Sequence, residues 1–387
     1  MTAATTPDLF SQEFQEDPYP AYDFLRREAP VYREPRYGAY VLSRFADVYG
    51  ALRDHGTFSS ALGVSPRQTG GMGANTTIVT SDPPRHTHLR QLVNRAFTPR
   101  TVAALRPRIE EVVGGLLDDL SGETSFDFVQ RLSYPLPVIV IAELLGIPPD
   151  DREKFKRWSD ALVGTFDSDE PAGFMADVAE MFPYFMTAYA ERRLSPRDDL
   201  LSALTQAEIA GEKLNDMELL SFAIILLVAG NETTTNLLGN LLNVLADRPD
   251  LWAQLRTDRA LIGPAIEELL RFDSPVQVLG RGTTTDVELH GVRIPAGSRV
   301  LVAFGSANRD DDEWPEASSF RLDRNLSRHV AFGHGIHYCL GAPLARLEAE
   351  VAMNALLDRY RDIGRGPGAA QRLHSTVIRG FEHLPLA

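Results

Sequence analysis

The sequence predicts a mainly α-helical protein of 387 residues with a smaller β-rich part. Three observations carry that reading. One helical pattern runs from Asn215 to Asp247 and is apolar nearly all round, the mark of a helix buried in a core. Helical patterns also follow one another with little pause from Thr101 to Arg193. Between Val276 and Val302, by contrast, apolar residues alternate with Gly and Pro turns, as in Val287-Glu288-Leu289-His290-Gly291, which reads as short strands.

In chain order, Pro20 to Arg27 reads as a short helix. Val31-Tyr32-Arg33 and Ala39-Tyr40-Val41-Leu42 flank Pro35-Arg36-Tyr37-Gly38 and read as a hairpin. Phe45 to Arg53 is helical. Thr57 to Thr80 is rich in Gly, Ser and Thr, and a connection of that length is often a binding lid. Asp82-Pro83-Pro84 opens a helix through Phe97, with His86 and Arg90 one turn apart on one face. Helices are then expected over Thr101 to Leu120, Leu132 to Leu145, Asp150 to Val163 and Ala172 to Arg193, with a mobile corner from Thr165 to Pro171. A short helix starts at Asp198-Asp199-Leu200-Leu201.

The long helix has a capping-box start in Asn215 and Glu218. About 30 residues at ~1.5 Å each give roughly 45–50 Å, enough to cross a domain. Its middle reads Ala229-Gly230-Asn231-Glu232-Thr233-Thr234. A buried acid is costly there unless paired or protonated. Gly and Thr together weaken a helix locally and can kink it. Pro249 and Pro264 each open a further helix, the second carrying Glu267-Glu268-Leu269-Leu270-Arg271. Leu340 to Tyr360 is helical, and the chain end reads as strands and turns.

Composition bounds the function. Hydrophobic residues at 44% and charged residues at 24% mark a globular protein. A formal net charge of -14 argues against nucleic-acid binding. One cysteine excludes internal disulfides, which fits a reducing cytoplasm. Met1 to Pro18 is polar and acidic, so neither a signal peptide nor a membrane anchor is expected. The longest apolar stretch, Leu219 to Gly230, is 12 residues and too short to span a bilayer.

That one cysteine, Cys339, lies in Ala331-Phe332-Gly333-His334-Gly335-Ile336-His337-Tyr338-Cys339-Leu340-Gly341. A glycine-rich loop delivers it to the start of a helix, where free N–H groups and the helix dipole favour a thiolate. Taken alone, the residue admits a small buried hydrophobe, a nucleophile with His337, or a zinc site with His329, His334 and His337.

Phe-x-x-Gly-x-x-x-Cys-x-Gly, with Phe332, Gly335, Cys339 and Gly341, resembles the haem-binding signature of the cytochrome P450 family. Other segments are similar to that family in the same order. Asp-Pro-Pro-x-His-x-x-x-Arg resembles the helix whose His86 and Arg90 reach a haem propionate. Ala229-Gly230-x-Glu232-Thr233-Thr234 resembles the oxygen-binding groove. Glu268-x-x-Arg271 resembles the pair that locks the core behind the haem, with Arg324 offered to it. Arg281 and His337 resemble further propionate ligands. The resemblance covers essentially the whole chain.

It implies a P450-like single domain, residues 1–387, enclosing haem b (iron protoporphyrin IX) between a long central helix and a cysteine loop. It also implies Cys339 as the metal ligand, and Ala229, Gly230, Phe332, Gly333 and Gly341 against the cofactor. The expected activity is that of a soluble, cytoplasmic, bacterial-type haem-thiolate monooxygenase. Glu232 and Thr233 are its expected catalytic pair. The expected partners are a small hydrophobic organic substrate, O2, a ferredoxin and a ferredoxin reductase, with no nucleic acid and no membrane. A non-oxygenating or peroxide-driven haem-thiolate protein is the alternative. Residues 57–80, 163–180, the middle of the long helix, 276–279 and Thr376-Val377-Ile378 are expected to wall the substrate pocket. A basic patch of Arg85, Arg90, Arg95, Arg324 and Arg346 is expected around the cysteine loop.

Overall fold

The long apolar pattern folds as one helix, Asp216–Ala246, of 31 residues. The computed structural model describes residues 7–66, 77–94, 97–164, 172–209, 211–324, 326 and 328–387. The helix starts with a reciprocal cap. The Glu218 amide donates to Asn215 Oδ1 at 3.0 Å, and the Asn215 amide donates to Glu218 Oε2 at 2.9 Å.

At ~1.5 Å per residue the helix is roughly 46 Å long and joins two buried clusters. Its C-terminal half, through Leu237, Leu241 and Leu245, shares one cluster with the helices Arg106–Asp118, Ile262–Phe272 and Ala342–Arg359. Its N-terminal half, through Leu219, Phe222 and Leu227, shares the other with Arg152–Gly164, Ala172–Leu194 and Leu200–Gln206. Residues 229–234 lie between the two halves. They remain helical, so the weakened turn does not interrupt the element.

Prolines divide two helices that the apolar pattern alone would run together. The stretch 101–120 folds as Pro99–Ala104 and Arg106–Asp118, with Pro107 in the first turn of the second helix. The stretch 132–145 folds as a π-turn, Val129–Ser133, followed by Pro135–Leu145 with Pro135 at its start. Proline has no amide hydrogen to donate to the preceding turn, so it begins helices more readily than it continues them. The helix assigned to Pro264 begins two residues earlier, at Ile262. The corner at 165–171 lies outside the described residues.

The β part centres on a five-stranded sheet ordered Val31–Arg33, Tyr40–Leu42, Arg299–Ala303, Val278–Thr283, Phe58–Ser59. The expected hairpin pairs Val31 with Leu42. Tyr40–Leu42 runs parallel to Arg299–Ala303, and the remaining pairs are antiparallel. Gly280 and Gly282 clear one face of this sheet. A Cβ at Gly282 would stand 2.1 Å from Leu62 Cδ1, and one at Gly280 2.9 Å from the Ser65 carbonyl oxygen. The 60–65 segment crosses there. The Gly280 amide donates to the Val64 carbonyl at 2.7 Å, and Arg299 Nη1 donates to the Leu62 and Gly63 carbonyls at 3.1 and 2.8 Å.

Glu268 and Arg271 pair inside the protein, both with 0% of the side chain exposed. Arg271 Nη2 and Nε donate to the two carboxylate oxygens, each at 2.8 Å. Its remaining donors reach the carbonyls of Asn308, Ala317 and Ser319. Arg324 Nε and the Arg321 amide donate to Glu268 Oε1 at 3.1 and 2.9 Å. One ion pair thus ties the 262–272 helix to the 308–324 segment.

Candidate functional site

The cysteine loop is built by two glycines and one backbone bond. Gly333 and Gly335 have φ of 70° and 69°, in the left-handed region that glycine enters without penalty. A Cβ at Gly335 would lie 2.5 Å from the Leu52 carbonyl oxygen, so the loop can lie flush on the helix Phe45–Arg53. The Cys339 amide donates to the Phe332 carbonyl at 2.9 Å, closing the loop just before the helix Ala342–Arg359 begins. Burial pushes the Cys339 thiol up, and the amides of Gly341 and Ala342 together with Arg90 and Arg346 oppose that shift. These groups are placed to stabilise a thiolate, and a metal at the sulfur deprotonates a thiol outright.

Cys339 faces a cavity of about 280 Å³. The loop supplies one wall through Phe332, Gly333, His337, Cys339, Leu340 and Gly341. The long helix supplies another through Phe222, Leu226, Ala229, Gly230, Thr233 and Leu237. Spacings of three and four place those residues on one helix face. Val64, Ile78, Val276 and Leu279 add apolar surface from the segments expected to contribute. Leu52, Phe97, Ile141 and Phe304 also line the cavity, and no sequence pattern singled them out. Thr376, Val377 and Ile378 do not line it. They are buried, with Ile378 bridged to Val276, so they support the wall from behind.

The cavity has a donor-rich end formed by the guanidinium groups of Arg90 and Arg281 and the imidazoles of His86 and His337. The His86 and His337 rings lie 4.3 Å apart, and the Nε2 atom of each is buried without a hydrogen-bond partner. Arg281 is buried and donates to the Gly280 carbonyl at 2.7 Å. Burial lowers Arg281 to about 10, opposed by Asp82. Burial, then Arg281 and His86, lower His337 to about 3. Burial also lowers His86 and Arg90. Asp82, the nearby acid, is held by the Ser59 hydroxyl and the Ser60 amide. Crowded donors with depressed pKa values and orphaned nitrogens call for an anion.

The groove segment differs in detail from its sequence reading. Thr233 Oγ1 donates to the Ala229 carbonyl at 2.7 Å, so its hydrogen is spent within the helix and its lone pairs remain for an incoming donor. A Cβ at Gly230 would meet Ile141 Cδ1 at 3.2 Å. The space kept by this glycine is therefore against the 135–145 helix. Glu232 is 9% exposed and is not among the lining residues.

Sequence reasoning missed Glu348. This residue lies on the 342–359 helix, is 2% exposed and lines the cavity. Burial raises its carboxyl to about 8, against the pull of a hydrogen bond with Thr234. Its helix is buried on several sides, so no amphipathic pattern marks the position.

The expected basic patch is largely neutralised. Arg85 pairs with Glu218, and Arg324 with Glu268. Arg346 forms a fork with Glu267 at 2.6 and 2.9 Å and stacks its guanidinium 4.6 Å from the Phe332 ring centre. Burial works to raise Glu267, but Arg346 and His329 outweigh it and hold the carboxyl at about 2. Arg90 faces the cavity, and Arg95 lies outside the described residues.

Haem answers both ends of this cavity. Its iron takes a thiolate, which Cys339 is placed to supply, its macrocycle suits the apolar middle, and its propionates are anions of the kind that the unpartnered His86 and His337 Nε2 atoms and the two arginines beside them would accept. The class is that of haem-thiolate proteins. The chain belongs to the cytochrome P450 family: the family model for Cytochrome P450 matches residues 31–362. It is similar to Cytochrome P450 109 of Bacillus spizizenii, 43% identical over 98% of this chain and 94% of the relative. It is 41% identical to the cytochrome P450 monooxygenase PikC of Streptomyces venezuelae, over 100% of this chain and 95% of PikC. Among solved structures, CYP109Q5 from Chondromyces apiculatus superposes with a TM-score of 0.90 at 42% identity, covering 98% of this chain and 97% of the other. CYP109E1 from Bacillus megaterium in complex with testosterone gives a TM-score of 0.87 at 37% identity, covering 96% and 99%. The protein is thus a haem-dependent monooxygenase of the P450 type, acting on an organic substrate with O2 and a source of electrons.

Proposed function

We propose that this protein inserts one oxygen atom of O2 into an uncharged hydrophobic substrate, with electrons from a cytoplasmic ferredoxin and its reductase, and that residues 1–387 act as one catalytic domain. The observation that carries the reading is the apolar stripe of the long helix. Phe222 and Leu226 stand about three and two turns from Thr233 on the face that looks into the cavity. A hydrophobic molecule lying along them presents a C–H bond beside the threonine.

Haem on a cysteine thiolate supplies the activation of O2, including cleavage of the O–O bond. Cys339 is the proposed ligand. His86, Arg90, Arg281 and His337 would bind the propionates, while Ala229, Gly230, Phe332, Gly333 and Gly341 would pack on the ring. Thr233 Oγ1, its hydrogen given to Ala229, is left as an acceptor and would hold a proton-bearing partner beside it in the cavity. Glu232 supplies protons from the adjacent turn position, about 100° around the helix. The apolar wall excludes the loose water that would otherwise drain reducing equivalents into peroxide.

The relative bound to testosterone makes a neutral steroid the first compound to try. Testosterone is titrated against the ferric protein, then turned over under ¹⁸O2 with a ferredoxin, its reductase and NADPH. Product carrying one ¹⁸O atom is expected from testosterone or from another neutral hydrophobic compound in a panel. Turnover supported only by added hydrogen peroxide would overturn the reading in favour of a peroxide-driven enzyme.

A further inference from the structure

The side of the long helix away from the cavity carries a buried polar cluster. Asn231 and Thr235 lie one turn apart there, each roughly 160–200° around the axis from Thr233. Asn231 Nδ2 donates to Ser159 Oγ at 3.0 Å, and both residues are 0% exposed. Thr235 Oγ1 donates to the Ser133 carbonyl at 3.0 Å, with a longer 3.5 Å approach to Asn231 Oδ1. Ser159 belongs to the 152–164 helix and Ser133 to the π-turn that precedes the 135–145 helix. Two side chains thus fasten the groove segment to two different neighbours.

Asn231 shares neither a contact with the cavity nor a wall position. Apolar side chains of similar size would fill its site without needing partners, so a buried amide here needs a reason. Its bonds are directional, whereas the surrounding packing of Leu227 and Leu238 is not. A helix held by apolar contacts alone is free to rotate slightly about its axis. A helix tied at Asn231 and Thr235 is not, and any such rotation would move Thr233 Oγ1 on the opposite side.

We infer that Asn231 is a positioning residue: through Ser159 it fixes the rotation of the 229–234 turn and so the placement of the Thr233 hydroxyl. The inference rests on the proposed role of Thr233. The 152–164 helix is thereby coupled to the groove, because displacing it strands a donor that no water reaches. Trp158, next to Ser159, packs on Tyr184 with ring centres 5.4 Å apart, so the 172–194 helix moves with it.

The test uses CO on the reduced, haem-loaded protein as a probe of the space beside Thr233, read by the infrared C–O stretch. Asn231→Leu and Ser159→Ala are expected to shift or broaden the band in the direction given by Thr233→Ala. Ser159→Thr, which keeps the hydroxyl, is expected to restore the wild-type band. The double variant Asn231→Leu/Thr233→Ala is expected to match Thr233→Ala, because the cluster acts through that hydroxyl. If Asn231→Leu loses haem, Ser159→Ala, which removes one oxygen atom, carries the same comparison. Wild-type bands in Asn231→Leu and Ser159→Ala would overturn the inference, as would shifts that add to that of Thr233→Ala. A wild-type band that Thr233→Ala leaves unmoved would instead sink the proposed role of Thr233.

Discussion

Glu268→Ala removes the acceptor for four hydrogen bonds at once: two from Arg271, one from Arg324 and one from the Arg321 amide. Arg271 keeps three carbonyl acceptors but loses its counter-charge at a site with 0% exposure. Breaking a buried pair from one side costs roughly 3–5 kcal/mol, because a charge is left uncompensated. Against a total stability of about 5–15 kcal/mol, that is roughly a fifth or more. The neighbouring residue provides the control. The Glu267 side chain is 26% exposed and its pair with Arg346 is in part solvated. Glu267→Ala removes the Arg346 fork and the His329 contact but leaves Arg346 with access to solvent, so it is expected to cost less, roughly 1–2 kcal/mol. Urea unfolding followed by far-UV circular dichroism, with haem content measured in parallel, separates the two. The expected order is a large loss of midpoint and haem for Glu268→Ala and a small one for Glu267→Ala. A haem-loaded Glu268→Ala protein with the wild-type midpoint would refute the argument.

Three further outcomes are expected. In Cys339→His the thiolate-type band of the reduced, CO-bound protein is expected to disappear; its survival would remove Cys339 as the ligand. Thr233→Ala is expected to keep NADPH consumption near normal while diverting it to peroxide, and Glu232→Gln to slow the whole cycle, so product, peroxide and NADPH measured together test the pair. Glu348 binds its proton more tightly folded, at about 8, than unfolded, near 4.5. Its contribution to stability is therefore present at low pH and is lost as pH rises towards 8, by up to about 1.4 kcal/mol per unit. Glu348→Gln should lose that part of the slope, and identical urea midpoints from pH 5 to 9 in both proteins would contradict the assignment.

The Glu268–Arg271 pair was legible only through the family resemblance, because two charges one turn apart are commonplace on helices. The cysteine loop, by contrast, was legible because it depends on neighbours in the sequence: turn glycines and a sulfur before a helix leave local marks. The capped start of the long helix is local too. The basic patch failed for the opposite reason. Glu267 lies 79 residues from Arg346 and Glu218 lies 133 from Arg85, and nothing local announces such partners. Gly230 stood out only as part of the groove motif, and nothing local announces that the neighbour it clears is Ile141 on another helix. Glu348 and the Asn231–Ser159 bond are also products of packing between elements distant in the chain. The helix boundaries at Pro107 and Pro135 were visible as prolines and overridden by the apolar pattern around them.

The cavity face of the long helix has a consequence for divergence. Phe222 and Leu226 share one stripe with Ala229, Gly230 and Thr233, yet stand about three and two turns from the threonine. At ~5.4 Å per turn, residues two or three turns upstream can change in size or shape without touching the threonine. Those upstream turns are thus a separate unit of heritable variation. Lineages can trade one substrate for another by altering the upstream turns while the chemistry below them is inherited unchanged.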